Sequence, residues 1–206
     1  MVDKVDFKKS MKALYAPPVG RFVQVEVPPL SYLMIDGSGD PNTAASYRSA
    51  LEWLYSVSYP LKFMSKKELG RDYAVMPLEG LWWADDMSTF LSRKKDEWSW
   101  TMMILQPDWI GQAMVDAAIA KARAKLGEPP ASLRLERLEE GLCVQTMHIG
   151  SYDDEGPVLA KLHDEYLPQH GLKETGRHHE IYLGDPRKTA PEKLKTILRQ
   201  PVQPAR

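Results

Sequence analysis

The chain has 206 residues and a formal net charge of −1, from 27 basic and 28 acidic residues, so it can bury a substantial core and has no overall basic charge to favour nucleic acid. Its single cysteine, Cys143, excludes an internal disulfide framework and is typical of a reducing compartment. Because no apolar run approaches the ~18 residues of a membrane span and residues 1–12 do not resemble a secretory signal, we expect a cytoplasmic protein without nucleic-acid or membrane partners.

The first half of the chain predicts two strands, a helix and two further strands. Residues 21–27 and 31–36 are predicted as a strand pair joined at a Pro-Pro turn. The turn GSGDP (37–41) then leads into a helix with apolar residues at helical spacing over 47–55. Strands are predicted at 73–84 and 98–105, and we expect the polar segment between them (85–97) to be a mobile loop.

The second half repeats this order after a connecting helix predicted at 108–127. Residues 133–138 and 142–149 are predicted as strands about a tight turn, 155–170 as a helix that Gly171 ends, and 178–183 and 194–202 as strands. The chain therefore predicts an α+β fold of two tandem β-β-α-β-β modules, residues about 20–106 and about 107–203, with antiparallel sheets. We expect the modules to pack about a pseudo-twofold axis, with a central ligand cleft between them.

The strand at 178–183 supplies the main candidate site residue. Alternation of side chains puts Ile181 and Leu183 on one face, where they are predicted to pack on the protein's own helices, and puts His178, Glu180 and Tyr182 on the other. A carboxylate beside an aromatic ring suits a pocket for a flat or cationic organic molecule. Glu180 is thus the predicted centre of a binding site, and the alternative is an ordinary ion pair with an arginine at a sheet edge.

The other candidate lining residues are aromatic or methionine, which suit adaptable binding surfaces. Trp82 and Trp83 are adjacent in a predicted strand, so only one of them can face a cleft. Core packing explains any one of these residues equally well, and the prediction depends on the set, because several rings contribute to holding one cation. With Glu180, the predicted ligand-binding residues are Tyr152, Tyr182, Trp82, Trp83, Trp100, Met102, Tyr55, Tyr59 and Met147.

No metal site and no cofactor are predicted. The five histidines lack a partner acid at ligand spacing, and the acids at 153–155 are interpreted as charges that complement a helix dipole. The segment GSG (37–39) follows a predicted strand and precedes a helix, but it lacks the third glycine of a dinucleotide-binding loop.

Several stretches make the chain resemble the GyrI-like (gyrase-inhibitor-like) small-molecule-binding domains. They are YLMIDGSGDPN (32–42), ALEWLYSVSYPLKF (50–63), PLEGLWW (77–83), MHIGSYDDEGP (147–157) and HHEIYLGDPRK with KLKTILRQPV (178–202). The resemblance implies a single domain over residues 1–206 that binds lipophilic, flat aromatic or cationic small molecules. It matches the family's central acid to Glu180, and its tyrosine after the glycine turn to Tyr152.

The resemblance leaves two functions open. One is multidrug or xenobiotic binding; since only about 20 residues precede the first strand, too few for a helix-turn-helix domain, we do not expect a regulator. The other is hydrolysis of cyclopropane-bearing DNA-alkylating natural products, giving toxin resistance, with Glu180 as general base and Tyr152 stabilising developing charge. A third function, as an inhibitor that docks on a larger enzyme, is disfavoured by the balanced charge, and no obligate protein partner is inferred.

Overall fold

The structure is a computed structural model that describes residues 4–85 and 94–205. Its strands are β1 (Lys4–Val5), β2 (Val23–Val27), β3 (Leu30–Ser38), β4 (Asp72–Tyr73), β5 (Leu78–Trp83), β6 (Ser99–Gln106), β7 (Arg134–Leu138), β8 (Gly141–Ile149), β9 (Leu172–Glu174), β10 (His178–Tyr182) and β11 (Lys195–Pro204). Its helices are α1 (Phe7–Ser10), α2 (Lys12–Tyr15), α3 (Ala45–Glu68), α4 (Gln112–Leu126), α5 (Gly156–Ala160) and α6 (Leu167–Gln169), with the π-helical segment Lys161–Tyr166 between the last two. The loop predicted at 85–97 falls largely outside the described residues.

One large antiparallel sheet forms the centre of the fold, which confirms the predicted α+β class. In the described part of the chain it has nine strands in the order β2-β8-β11-β10-β5-β6-β3-β7, with β9 paired to β11. Two short strands, β1 and β4, pair in parallel beside it. The strands β10 and β5 lie in the middle of the sheet and join the two halves of the chain edge to edge.

The predicted pairing of residues 21–27 with 31–36 is wrong, whereas the chain-adjacent strands β5 and β6, and β10 and β11, do pair. The strands β2 and β3 meet at Pro28-Pro29, yet β2 pairs with β8, and β3 pairs with β6 and β7. Two successive prolines supply no backbone N–H donors for a tight hairpin, so the chain leaves one part of the sheet and enters another. The first strand of each half therefore pairs with the other half: β2 pairs with β8, and β7 pairs with β3. The order of strands in the sheet is consequently symmetric about its centre, where β10 and β5 meet. The pseudo-twofold relation itself stays a prediction.

Two helical segments cover the same face of this sheet. The helix α3 buries an apolar stripe at helical spacing, including Trp53, Leu54 and Val57, and its Ser58 hydroxyl accepts a hydrogen bond of 3.2 Å from Gln106 of β6. The segment from α5 to α6 packs Leu162 and other apolar residues against β8 and β11. We call this side of the sheet the helical face. On it, the central strands β10 and β5 lie between the two helical segments. No helix of the described residues is long and apolar enough to cross a lipid bilayer.

The opposite face of the sheet buries an ionic cluster. The two ring nitrogens of His179 bond to Glu79 and Glu140, each at 2.9 Å, and the hydroxyl of Tyr15 donates to Glu79 at 2.9 Å. Burial opposes the charge of the imidazolium, but the two carboxylates raise the pKa of His179 to about 9. The Arg199 guanidinium, also fully buried, lies 3.5 Å from Glu140. Two acids therefore face two cations, and the cluster ties α2 to the sheet.

Candidate functional site

Strand β10 points Glu180 into the helical face. His179 and Ile181 are fully buried on the opposite face, as strand alternation requires. The hydroxyl of Tyr182 donates to Oε2 of Glu180 at 2.7 Å. Burial, and then the charge of Glu180, raises the pKa of Tyr182 well above its usual value, so the phenol stays a donor. The Glu180 side chain is 14% exposed, so its carboxyl is held inside the protein by a neighbour on its own strand.

Strand β5 brings an indole beside this pair, and β6 brings the thioether of Met102. The indole Nε1 of Trp82 donates to the hydroxyl of Tyr182 at 2.8 Å, which extends the hydrogen-bonded chain from Trp82 to Glu180. Gly80 lies opposite Glu180 in the register of β5 and β10. A Cβ at Gly80 would lie 2.9 Å from the Trp82 nitrogen and 3.1 Å from the sulfur of Met102. The absence of a side chain at position 80 is what lets these groups meet beside the carboxyl.

More aromatic rings enclose the cluster from β6 and α3. Tyr47, in the first turn of α3, lies edge-on to Trp100 with 5.3 Å between ring centroids and lies 6.3 Å from Trp82. Trp98 meets Trp82 edge-on at 5.9 Å. Trp100 is fully buried, and its indole lies over Gly37, where a Cβ would be 2.1 Å from its ring carbon. Tyr47 was missed as a site residue because its helical spacing indicated core packing; burial and then Glu180 raise its pKa.

A second acid, which sequence reasoning also missed, lies beside Glu180. Glu155 precedes α5, is 5% exposed and makes no side-chain bond to the helix end, contrary to the interpretation of this acid as a dipole charge. Its carboxyl lies within electrostatic reach of Glu180 and near Thr196 of β11. Burial first, and then the charge of Glu180, raise the pKa of Glu155 to about 10. The environment of Glu155 therefore favours its neutral, protonated form.

Tyr152 and His178 complete the surroundings of the two acids. The ring of Tyr152 lies edge-on to Tyr182 at 5.6 Å and is 38% exposed, which places it at the rim. Burial, and then Glu155 and Glu180, raise the pKa of Tyr152 to about 12. His178 Nε2 lies 3.3 Å from Oε1 of Glu180, but neither ring nitrogen has the geometry of a hydrogen bond. His178 is therefore close to Glu180 but is not hydrogen-bonded to it.

The structure places two predicted lining residues on the face opposite Glu180. Trp83 follows Trp82 in β5 and so points the other way, with the guanidinium of Arg177 stacked 3.4 Å above its ring. Met147 of β8 is in register with Ile197, which is in register with Ile181 of β10. Since residues in register share a face of a sheet, Met147 packs in the core away from the acids.

Tyr55 and Tyr59 lie along α3 beyond the aromatic cluster. They line a groove of about 420 Å³ between α3 and α4, with Lys121 on its other side. Tyr59 is half exposed, whereas Tyr55 is partly buried and lies within electrostatic reach of Asp185. The groove and the carboxyl pair are therefore separate features in the part of the chain that the structure describes.

The arrangement can bind an organic cation or move a proton, and it offers no metal centre. Within residues 4–85 and 94–205, no three His, Cys, Asp or Glu side chains group as metal ligands would. What the helical face offers is two adjacent carboxyl groups, three phenols and several indoles. Such a set can stack on a flat molecule, complement a positive charge and donate or accept a proton.

Polar groups set among aromatic side chains, as on the helical face, are typical of sites that bind small organic molecules. The model of the GyrI-like small molecule binding domain matches residues 22–203, and the chain belongs to this family. The family confirms the resemblance seen in the sequence and supports ligand binding as the general function.

Solved structures from Listeria innocua are similar over the whole fold. An uncharacterised conserved protein is 40% identical, with a TM-score of 0.88, over 97% of this chain and 100% of that one. A protein described as a hydrolase is 39% identical, with a TM-score of 0.84 and the same coverage. Another hydrolase is 38% identical, with a TM-score of 0.85, over 98% of this chain and 100% of that one. No curated protein matches the chain.

Proposed function

We propose that the protein binds lipophilic, flat aromatic cations, with Glu180 supplying the negative charge and the rings of the helical face supplying the stacking surface. The observation that carries this proposal is the lack of a fixed counter-charge. Among the described residues, no lysine or arginine pairs with Glu180, although its side chain is only 14% exposed. Buried acids are normally paired, as Glu79 and Glu140 are on the other face, so a cationic guest would complete this site.

The aromatic rings support a cationic rather than a neutral guest. A ring face held over a cation contributes ~0.5–2 kcal/mol, and several rings add to this. Trp82, Tyr47 and Tyr152 each lie on the helical face near the acids, and Tyr152 is the most exposed of the three. A guest that enters past Tyr152 would meet the carboxyl of Glu180 at the inner end of its path.

Binding of a cationic dye with and without the acid tests this proposal. Tetramethylrhodamine methyl ester carries a fixed positive charge, and its fluorescence anisotropy measures its affinity. Glu180→Gln should weaken binding about ten- to hundredfold, since a charge-assisted contact contributes about 1.5–3 kcal/mol. The matched control is Glu52→Gln, which removes an exposed acid of α3 and should leave the affinity unchanged. Equal affinities in the two variants would contradict the proposal.

A second candidate function is hydrolysis of an electrophilic cyclopropane. Its support is that two structures at 39% and 38% identity are described as hydrolases, and that the site combines acids with phenols. In this reaction Glu180 would take a proton from water as the water oxygen bonds to a ring carbon. The breaking carbon–carbon bond would pass its electrons to a conjugated carbonyl, whose oxygen Tyr152 would stabilise. The proton then returns to the product.

Mass spectrometry separates the two functions. A hydrolase adds the mass of one water to a cyclopropane conjugated with a carbonyl, and Glu180→Gln should abolish this product. A binder leaves the compound unchanged even when it is bound. If the variant still forms product, Glu180 is not the base.

A further inference from the structure

Two carboxyl groups from distant parts of the chain converge on the helical face. Glu155 comes from the turn after β8, and the residue is 5% exposed. Glu180 comes from β10, and its side chain is 14% exposed. The two carboxyl groups lie within electrostatic reach of each other, beside the hydrogen bond from Tyr182 to Glu180. Two acids held together away from water cannot both ionise without a large cost, so the pair favours retaining one proton.

The groups that face Glu155 do not supply a fixed positive charge. From β10 it is faced by Glu180 and Tyr182, from β11 by the neutral Thr196, and from its own segment by Tyr152 and Asp153. His178 lies 3.3 Å from Glu180, the other member of the pair. The remaining nearby cation, Lys95, lies 3.5 Å from the exposed Asp153. Among the described residues, no lysine or arginine makes an ion pair with either member of the acid pair.

One carboxyl oxygen of the pair is free to accept a hydrogen bond. Oε1 of Glu155 is buried and has no hydrogen-bond partner among the described residues. Buried acceptors normally have a partner, and the nearby hydroxyl of Thr196 does not bond to this oxygen. A ligand with an N–H group directed at Glu155 would supply the missing donor.

We propose that Glu155 and Glu180 form a singly protonated carboxyl pair that receives an N–H-bearing cationic group of the ligand, such as an amidinium, a guanidinium or a protonated amine, and releases its proton to solvent as the cation binds. This inference rests on the proposed function and narrows it, because a cation without N–H groups cannot satisfy Oε1 of Glu155. Glu155 is thus the residue that selects among cations, whereas Glu180 attracts them all.

Isothermal titration calorimetry with two matched bicyclic cations tests the inference. The probe 2-naphthamidine carries an amidinium with N–H donors, and N-methylquinolinium carries a fixed charge without them. Titrations at pH 7 in phosphate and in Tris count the protons released. Naphthamidine should release about one proton, and its affinity should rise by up to about tenfold per pH unit between pH 6 and pH 8. N-methylquinolinium should bind more weakly and release a smaller fraction of a proton.

Variants identify the source of the proton. Glu155→Gln keeps an amide that can donate to Glu180, but it should abolish both the proton release and the pH dependence, and it should lower the preference for naphthamidine about tenfold. His178→Gln should retain the proton release, which excludes the imidazole as the source. In the ligand-free protein, carbon-13 NMR of labelled glutamate should show one carboxyl that titrates above pH 7, and Glu155→Gln should remove that signal.

Each contrary result has a distinct meaning. If naphthamidine binds without proton release, or if release persists in Glu155→Gln, the carboxyl-pair inference is wrong while the proposed cation binding stands. The absence of the titrating carboxyl signal overturns the inference in the same way. If neither cation binds, the proposed function is overturned, and the inference falls with it.

Discussion

The proton held by Glu155 should make the stability of the ligand-free protein depend on pH in a way that one substitution removes. The pKa of Glu155 is raised from its usual value of 4.5 to about 10, mainly by burial. Between these two values the folded protein holds a proton that the unfolded chain has lost. The stability associated with this proton is complete below pH 4.5 and falls as pH rises towards 10. Glu155→Gln cannot lose a proton and should not show this decline.

The size of the effect follows from the width of the pH interval. Each pH unit within it changes the free energy of unfolding by about 1.4 kcal/mol per proton. The pH of 7 is 2.5 units above the ordinary pKa of 4.5, so ionisation of Glu155 in the unfolded chain lowers the free energy of unfolding by roughly 3 kcal/mol at this pH. The difference in stability between Glu155→Gln and the unmodified protein should therefore grow by about 4 kcal/mol from pH 5 to pH 8. This change is independent of any constant effect of the amide on packing.

Urea unfolding monitored by tryptophan fluorescence at pH 5, 6, 7 and 8 measures this difference. The free energy at each pH comes from the midpoint and the slope of the transition, and the slope should stay constant across the series. Glu52→Gln, which removes an exposed acid, serves as the control and should follow the unmodified protein. If the curves of Glu155→Gln and the unmodified protein run parallel across the pH range, Glu155 does not hold the proton and the reasoning fails.

Three further predictions concern other parts of the fold. The charge of His179, whose pKa is raised to about 9, contributes stability that is complete below pH 6.5, and this contribution of roughly 3 kcal/mol should be lost as pH rises through 9. In a urea series extended to pH 10, a His179→Gln variant should lack that loss. Gly37→Ala should lower the free energy of unfolding by about 1–3 kcal/mol, because its Cβ would overlap Trp100, whereas Gly156→Ala, in open space, should change it by less than about 0.5 kcal/mol. Burial raises the pKa of Cys143 to about 12, so iodoacetamide at pH 8 should label the unfolded chain and leave the native thiol unmodified; rapid native labelling would contradict this.

Local periodicity was enough to predict which side chains of β10 share a face. The alternation of β10 put Glu180 and Tyr182 on one face and Ile181 on the other, and the hydrogen bond between the first two confirms that they share a face. The adjacency of Trp82 and Trp83 likewise predicted that only one would reach the acid, and Trp82 does so through Tyr182. These relations depend on neighbours within one strand, so no tertiary information is needed.

Contacts between segments far apart in the chain could not be predicted from local periodicity. The partner of β2 is decided by the assembly of the whole sheet. The strand sequences on either side of Pro28-Pro29 would suit pairing with each other as well as pairing with distant strands. The role of Glu155 was missed for a similar reason, since an acid before a helix is ordinarily explained by the helix dipole. Its burial arises only when the turn after β8 docks beside Thr196 and Glu180. Met147 was placed at the site by its motif, although its register in β8 turns it away.

The two faces of β10 differ in how the protein matches the charges of their buried acids. On one face His179 lies between Glu79 and Glu140, and Arg199 adds a second cation, so the charges of that pair are matched by the protein itself. On the other face the neighbouring residue, Glu180, meets another acid; the described basic group beside it is His178, at 3.3 Å without hydrogen-bond geometry, and no described lysine or arginine pairs with it. A protein that needed both pairs only for stability would gain by matching both, because an unmatched buried acid destabilises the fold. The unmatched pair is therefore best explained by a positive charge that arrives with the ligand.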